Sequence, residues 1–358
     1  MAIKKVTMQE IADACGLSRN TVSKVFNGRG GVPEATRKKV LRTARELGYH
    51  HRPEEAAGPG APNGGNIAVL TQHKLLSHNF GAFFITSFTD QVSRYGYTIK
   101  MYELSPGEIA EKKLPPHLNL DRTDGLLGIE LFDRPYIDML CALRKPLVFV
   151  DGYARVNRLP IRCDFVSMAN IASESALVRR MIAAGARRIG FVGDAEHCNS
   201  FYERWAGFCA AMGEAGLPVD RALCILEEDG PFYGDPDWLL EKLSAMPALP
   251  DGFACANDYL AIRLMTALKR MGLSPPADVM LTGFDGSMEA AVIEPSLTTA
   301  QIPCAEIGRL AAALLSERIH APDGSFRWTY VKTTPVWGRS TRELPPSASP
   351  EAGGKPAP

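Results

Sequence analysis

Two hydrophobic rhythms divide the chain. Up to about residue 50 the apolar positions come in short groups at helical spacing: Ile11, Ala12 and Cys15; Val22, Val25 and Phe26; Ala35, Val40, Leu41, Ala44 and Leu47. Residues three and four apart share one helix face. The pattern predicts three short amphipathic helices, with a turn at Gly16 and a stop at Gly48. From Asn66 the rhythm changes. Apolar runs of strand length (NIAVLT, TIKMYE, GLLGIE, PLVFVD, RRIGFVGD, ALCILEE, GFACAND, DVMLTGFD) alternate with amphipathic stretches over 80–95, 171–184, from FYERWAGFCAAMGEAG, near Trp238, from YLAIRLMTALKRMG and over 305–319. Such alternation predicts parallel sheets covered on both faces.

The ends of the first helices carry recognisable caps. Thr7 and Glu10 have the capping-box spacing, in which each side chain satisfies an orphan backbone donor. Ser18 is placed to cap the second helix, and Leu17 to plug the angle before it. The outer face of that second helix presents Arg19, Asn20, Ser23, Lys24 and Asn27. These side chains suit base edges and phosphates in a major groove. Pro33 fits the first turn of the third helix, where a missing N–H does no harm.

Charge sharpens this division. Residues 1–52 hold eleven Lys/Arg against four Asp/Glu, a surplus of seven positive charges. The whole chain is neutral, so residues 53–358 carry seven excess negative charges. A basic head on an acidic body suits a polyanion-binding head. The eight cysteines form no CxxC pair and most sit in apolar runs, as reduced core residues do. No run reaches the ~20 apolar residues of a membrane span, and the first ten residues have no signal-like apolar segment. These features predict a cytoplasmic protein.

Enzymatic motifs are missing where they would be needed. NIAVLTQHKLLSHNF lacks the glycine-rich turn of a dinucleotide site, and GRGG at 28–31 follows a helix rather than a strand. No GxSxG, HExxH or phosphate-cradling loop occurs. The expectation is a non-enzyme with no cofactor and no metal. A secreted solute-binding protein would match the core but not the basic head.

The segment TMQEIADACGLSRNTVSKVFN resembles the helix-turn-helix of the LacI/GalR family of bacterial transcription regulators, position by position. GVPEATRKKVLRTARELGY resembles that family's third helix. GARRIGFVGD, ERWAGF, CANDYLAIRLMTALKRMG, DVMLTGFD, EPSLTTAQIP and GRST resemble successive landmarks of its effector-binding core, so the resemblance spans almost the whole chain. It implies an all-α helix-turn-helix head and an α/β core of two parallel-sheet subdomains, like periplasmic binding proteins. The divisions expected are a head over 1–52, a Pro/Gly-rich linker over 53–65, subdomains over 66–161 and 162–343 with crossovers, and a disordered tail over 344–358.

Functional roles follow from the same resemblance. Arg19, Asn20 and Lys24 would read bases, while Thr7, Ser18, Thr21, Ser23, Asn27 and Thr36 would hold phosphates. Asp151, Arg204, Asn257 and Asp285 occupy positions that hydrogen-bond a small effector in the family. Gln72 also lies at a strand end, where open parallel sheets bind ligands, and Phe80, Phe201, Tyr202 and Phe232 could wall a pocket. The implied protein is a repressor. It would bind pseudo-palindromic double-stranded operator DNA as a homodimer or tetramer, under control of a small metabolite such as a sugar. A relative with a weak DNA grip that works through protein partners is the alternative.

Three departures stand out. The family's hinge carries a leucine that wedges into the minor groove. Here HHRPEEAAGPGAPNGG fills that zone, with no leucine between Gly48 and Leu70, and predicts a flexible linker. The family's aspartate before the first helix of the second half is Ala169, followed by Asn170. The second aspartate of the usual GFDD is Gly286.

Overall fold

The computed structural model describes residues 8–18, 21–22, 25, 33–46, 65–72, 79–158 and 160–344. In the head, α1 spans Met8–Cys15 and α2 spans Glu34–Glu46, with residues 21, 22 and 25 helical between them. Helix α1 ends in a Schellman arrangement. Gly16 takes φ 63°, its N–H donates to the Asp13 carbonyl, and the Leu17 N–H reaches back to Ala12. Ser18 then caps the next helix, accepting from the Thr21 N–H at 3.1 Å. Ile11, Ala12, Cys15, Val22, Val25, Val40 and Ala44 form one small core against Leu17. The expected caps at Thr7 and Gly48, the inward Phe26, residues 53–64 of the linker and residues 345–358 of the tail lie outside the described residues, while Gly65 already begins the first core strand. Pro33 stands just before α2 rather than inside it, with its carbonyl accepting from Arg37.

The core has two lobes. Strands β1 (Gly65–Thr71), β2 (Tyr97–Glu103), β3 (Gly125–Ile129), β4 (Leu147–Val150) and β5 (Asp164–Met168) lie in one six-stranded sheet with β10 (Trp328–Val331), in the order β10-β5-β4-β3-β1-β2. All of its pairings are parallel. Alternate residues of β1 face opposite sides: Ile67 and Val69 enter one core, Ala68 and Leu70 the other. Helices α3 (Asn79–Arg94) and α11 (Cys304–His320) cover the first side; α4 (Pro106–Ala110) and α5 (Arg134–Ala142) cover the second.

The second lobe holds the parallel strands β6 (Ile189–Val192), β7 (Gly252–Cys255) and β8 (Met280–Thr282). Helices α6 (Asn170–Ala183), α7 (Asn199–Glu214), α8 (Pro236–Ala245) and α9 (Asp258–Arg270) surround them, with the short α10 (Met288–Val292) beyond. A two-stranded antiparallel ribbon, β9 (Thr299–Gln301) with β11 (Thr334–Val336), completes the lobe.

Two sequence expectations change. ALCILEE contains no strand; Arg221–Leu223 is a single 3-10 turn, and only Ile225 bridges Val192. The boundary at 161/162 also moves. Strand β5 continues the first sheet beside β4, and α11 and β10 return to it from the C-terminal part of the chain. The chain therefore crosses between lobes after β5, after β9 and after β10.

One buried ion pair locks the returning segment. Asp164, at the start of β5, accepts from Arg318 Nε at 2.7 Å and Nη2 at 3.0 Å, and from the Arg327 N–H at 2.7 Å. Arg318 also donates to the Pro322 and Ser325 carbonyls. Both partners are almost fully buried, so removing one strands the other's charge. Arg318→Ala should destabilise the first lobe by roughly 3–5 kcal/mol in urea unfolding. A change below about 1 kcal/mol, the scale of an exposed pair, would contradict this role.

Candidate functional site

The strands of both lobes end at a common cleft, and three of these ends carry a carboxylate on unusual backbone. Glu130 follows β3 at φ 48°, Asp151 follows β4 at φ 61°, and Asp285 lies just beyond β8 at φ 119°. Non-glycine residues seldom adopt positive φ, and such strain gathers at ligand sites. The three side chains thus leave the backbone at strand ends rather than from long loops.

Arg204 on α7 is the centre of the arrangement. Its side chain is 3% exposed. Nε donates to Asn170 Oδ1 at 3.1 Å, and Nη1 to the Ala256 carbonyl at 2.6 Å and to Asp285 Oδ1 at 3.3 Å. The guanidinium lies 3.8 Å from the centroid of the Phe284 ring. Its Nη2 makes no hydrogen bond to the described residues. A charge so placed has its orientation set by the fold before any ligand arrives.

The other charges are handled differently. Asp151 Oδ1 accepts from the Gly152 N–H at 2.9 Å and the Ser200 N–H at 3.2 Å, at the positive end of α7. Burial raises its pKa, against the pull of these donors and of Arg204. Burial pushes Asp285 up to about 7; Arg204 opposes the rise, and Asp258 and Glu130 add to it. Glu130 is also pushed up to about 7, by burial and then by Asp151. Asp258, pushed up to about 6 by burial, accepts from the Ser287 N–H at 2.7 Å and the Thr299 hydroxyl at 2.5 Å. Glu174 is wholly buried near Arg204, and its oxygens have no hydrogen-bond partner. Burial carries its pKa up to about 8, with Arg204 opposing the rise.

The expected site residues separate into two groups. Arg204, Asp285 and Asp151 do converge. Asn257 stands beside them, but its Oδ1 caps α9 by accepting from Leu260 at 2.9 Å. Gln72 and Phe80 are not brought onto Arg204. Gln72 Oε1 accepts from the Phe132 N–H at 2.9 Å and ties β1 to β3. Phe80 stacks on Phe84 against the first-lobe core. Phe232 packs on Trp238 within the second lobe, and Tyr202 pairs with Arg158 and lies under Arg155. Phe201 does lie near the Arg204 guanidinium, at 5.7 Å.

Several contributors had no assigned role in the sequence reading. Asn170 bridges Arg204 to Glu203, donating to Glu203 Oε2 at 2.9 Å. Glu203 Oε1 accepts from the Tyr330 hydroxyl at 2.7 Å, so the network runs from the cleft to β10 of the first lobe. Asn170, Ser173 and Glu174 share a buried face of α6, which is the only signal the sequence gives. Ala169 leaves α6 without a side-chain cap. Gly286 has no room for a side chain, since a Cβ there, at φ 67°, would lie 2.5 Å from the Gln301 carboxamide. Phe132 and His197 meet edge-on at 4.9 Å, joining the lobes near the cleft.

In the head, Ser18 is exposed, and Thr21 and Thr36 are half-buried. The Ser18 and Thr21 hydroxyls lie 2.9 Å apart. Thr7, Arg19, Asn20, Ser23, Lys24 and Asn27 lie outside the described residues.

Comparison with known proteins agrees with both parts. Residues 7–51 match the model of bacterial regulatory proteins of the lacI family, and residues 178–341 match a periplasmic binding protein-like domain. The transcriptional regulator CelR of Thermobifida fusca is 28% identical over 327 residues, which is 88% of this chain and 92% of CelR. Catabolite control protein A of Priestia megaterium is 27% identical over 316 residues, covering 87% and 92%. The repressor CytR of Escherichia coli K12 is 26% identical over 326 residues, covering 89% and 92%. Among solved structures, a CelR–cellobiose complex superimposes with a TM-score of 0.69 at 26% identity, over 94% of this chain and all of that one. A lac repressor dimer on operator shares the fold at 21% identity, with a TM-score of 0.65 over 94% and 99%. The chain thus joins a lacI-family DNA-binding head to a periplasmic binding protein-like domain, and its relatives CelR, catabolite control protein A and CytR are transcription regulators.

Proposed function

We propose that this regulator is a repressor that binds operator DNA as a two-fold dimer, and that a small polyhydroxylated ligand in the inter-lobe cleft controls it. One observation carries the ligand half: Arg204 is held at the junction of both lobes with one donor nitrogen, Nη2, unused. A guanidinium oriented in this way can fork onto ligand hydroxyls without reorganising. The cellobiose bound by CelR supports a carbohydrate.

On the DNA side, Arg19, Asn20 and Lys24 read bases. Thr7, Ser18, Thr21, Ser23, Asn27 and Thr36 hold phosphates. Without a hinge leucine, recognition falls more heavily on these residues. The chain acts in the cytoplasm and catalyses no reaction. No helix among the described residues is long and apolar enough to cross a membrane. Action mainly through protein partners has no specific observation in its favour.

Three outcomes test this reading. Arg19→Ala should weaken binding at the preferred site by roughly 1–3 kcal/mol and relax selection at one position per half-site. Site selection from random DNA reads this directly, and an unchanged base preference would remove Arg19 from base readout. In a thermal-shift screen against sugars, Arg204→Lys and Asp285→Asn should lose the ligand-induced stabilisation while DNA affinity stays near wild type. Full ligand response in both variants would place the ligand elsewhere.

The third concerns pH. Glu130 and Asp285 keep a proton in the folded cleft up to about pH 7, whereas unfolded carboxyls release theirs near pH 4. Between those values the folded state binds more protons, so stability falls as pH rises through the folded value. The ligand-free core should therefore melt at a higher temperature at pH 6 than at pH 8. Asp151, Asp258 and Arg204 face the same space, and Glu130→Gln should flatten the slope. A melting temperature that rises over this range and ignores Glu130→Gln would contradict the assignment.

A further inference from the structure

Two cysteines meet in the first lobe, where β5 begins, at the other end of that strand from the cleft. Cys141 lies in the last turn of α5, and Cys163 immediately precedes β5. The Cys141 thiol donates to Cys163 Sγ at 3.2 Å, across 22 positions of sequence. Both are free thiols. A disulfide bond is about 2.05 Å long, so the two sulphurs need to approach by only about 1 Å more. Their exposure differs. Cys163 is 4% exposed within the core that α5 covers, whereas Cys141 is only partly buried against that core. A small oxidant therefore meets Cys141 first. A packing cysteine has no second sulphur to condense with; here a resolving thiol already touches the accessible one.

The chain between the two cysteines carries a further consequence. It contains β4, the cleft residue Asp151 and the segment 152–158. In that segment Arg155 pairs with Glu196, Arg158 donates to the Tyr202 hydroxyl, and Asn157 Nδ2 donates to Glu203 Oε1 at 3.2 Å. Glu196, Tyr202 and Glu203 all belong to the second lobe, on α7 or just before it. A bond between the cysteines would close a covalent ring around the stretch by which the first lobe grips the second.

We propose that Cys141 and Cys163 are the site of a reversible disulfide, formed by a hydroperoxide and reopened by a dithiol. In the first step the Cys141 sulphur attacks the O–O bond of hydrogen peroxide. An S–O bond forms, the O–O bond breaks, and the thiol proton leaves with the departing hydroxide as water. In the second step the Cys163 sulphur attacks the Cys141 sulphur. The S–S bond forms, the S–O bond breaks, and the Cys163 proton leaves with that hydroxide as a second water. Two electrons pass from the sulphurs to the peroxide. A dithiol reverses the change by exchange through a mixed disulfide and is itself oxidised to a disulfide. The bridge restricts the unfolded chain and so stabilises the folded lobe. It does not depend on which ligand the cleft takes.

The test uses the full-length protein, reduced, freed of reductant and then treated with hydrogen peroxide. Remaining thiols are alkylated under denaturing conditions, and a non-reducing digest is read by mass spectrometry. The peptides holding Cys141 and Cys163 should appear joined, with two hydrogens lost. The melting temperature should rise by about 5 °C or more, the scale of a bridge closing a ring of this length. Dithiothreitol should separate the peptides and return the melting temperature to its starting value. Cys141→Ser, a mild change at the partly exposed member, should abolish both the cross-link and the rise, leaving Cys163 to be alkylated. Both thiols alkylated after peroxide, Cys141 carried to sulfinic acid with Cys163 still free, or Cys141 joined to a different cysteine would each overturn the proposal. A rise that persists in Cys141→Ser would overturn the assignment of the stabilisation to this bridge.

Discussion

A single buried guanidinium organises the sensing half of this protein. Arg204 is held by the Ala256 carbonyl at the end of β7, by Asp285 beyond β8 and by Asn170 at the start of α6. A buried arginine that lost these partners would be an uncompensated charge, so the fold and the site depend on the same contacts. Its partners are strand ends and a helix start, which are rigid positions. The carboxylates around it are held at strand ends whose backbone is strained, so a ligand meets groups already in place. Pre-organisation of that kind lowers the ordering cost of binding.

The same residue joins the lobes. Through Asn170 and Glu203 it connects to Tyr330 on β10, a strand of the first lobe. The first lobe is in turn secured to its returning segment by the Asp164–Arg318 pair. The cleft therefore lies between two bodies whose connecting strands are few and well anchored. Relative movement of such bodies has a physical path, from Arg204 through buried hydrogen bonds to the sheet that follows the head in the chain.

Much of this could be read in the residues themselves. The head is legible because a small helical core must draw on nearly all of its apolar positions, and Ile11, Ala12, Cys15, Val22, Val25, Val40 and Ala44 do form it. Strands such as NIAVLT and PLVFVD are legible because parallel strands are buried on both faces and read as unbroken apolar runs. The lobe boundary was not, because β5 and β10 pair only after long excursions of chain, and nothing local marks which sheet a strand will join. ALCILEE has a strand's composition but only Ile225 reaches a partner. Among the strand-end residues, Arg204 and Asp285 are singled out by the resemblance, and the structure pairs them at 3.3 Å. Glu130 does not stand out in the sequence because GLLGIE reads as an ordinary strand end, and its positive φ shows only in the fold. Asn257 shows the converse: a residue expected at the ligand also serves as a helix cap, which its polarity alone does not reveal.

The central claim is that cleft and DNA-reading head share one equilibrium. Linkage makes this testable without choosing between induction and corepression, because a ligand that alters operator affinity must have its own affinity altered by the same factor. The direct measurement is the dissociation constant of a stabilising sugar for the protein alone and for the protein saturated with its selected operator. The account predicts that the two constants differ by about fivefold or more, the usual range of allosteric coupling, matched by the shift in operator affinity at saturating sugar. Equal constants, with the sugar bound in both states, would contradict it.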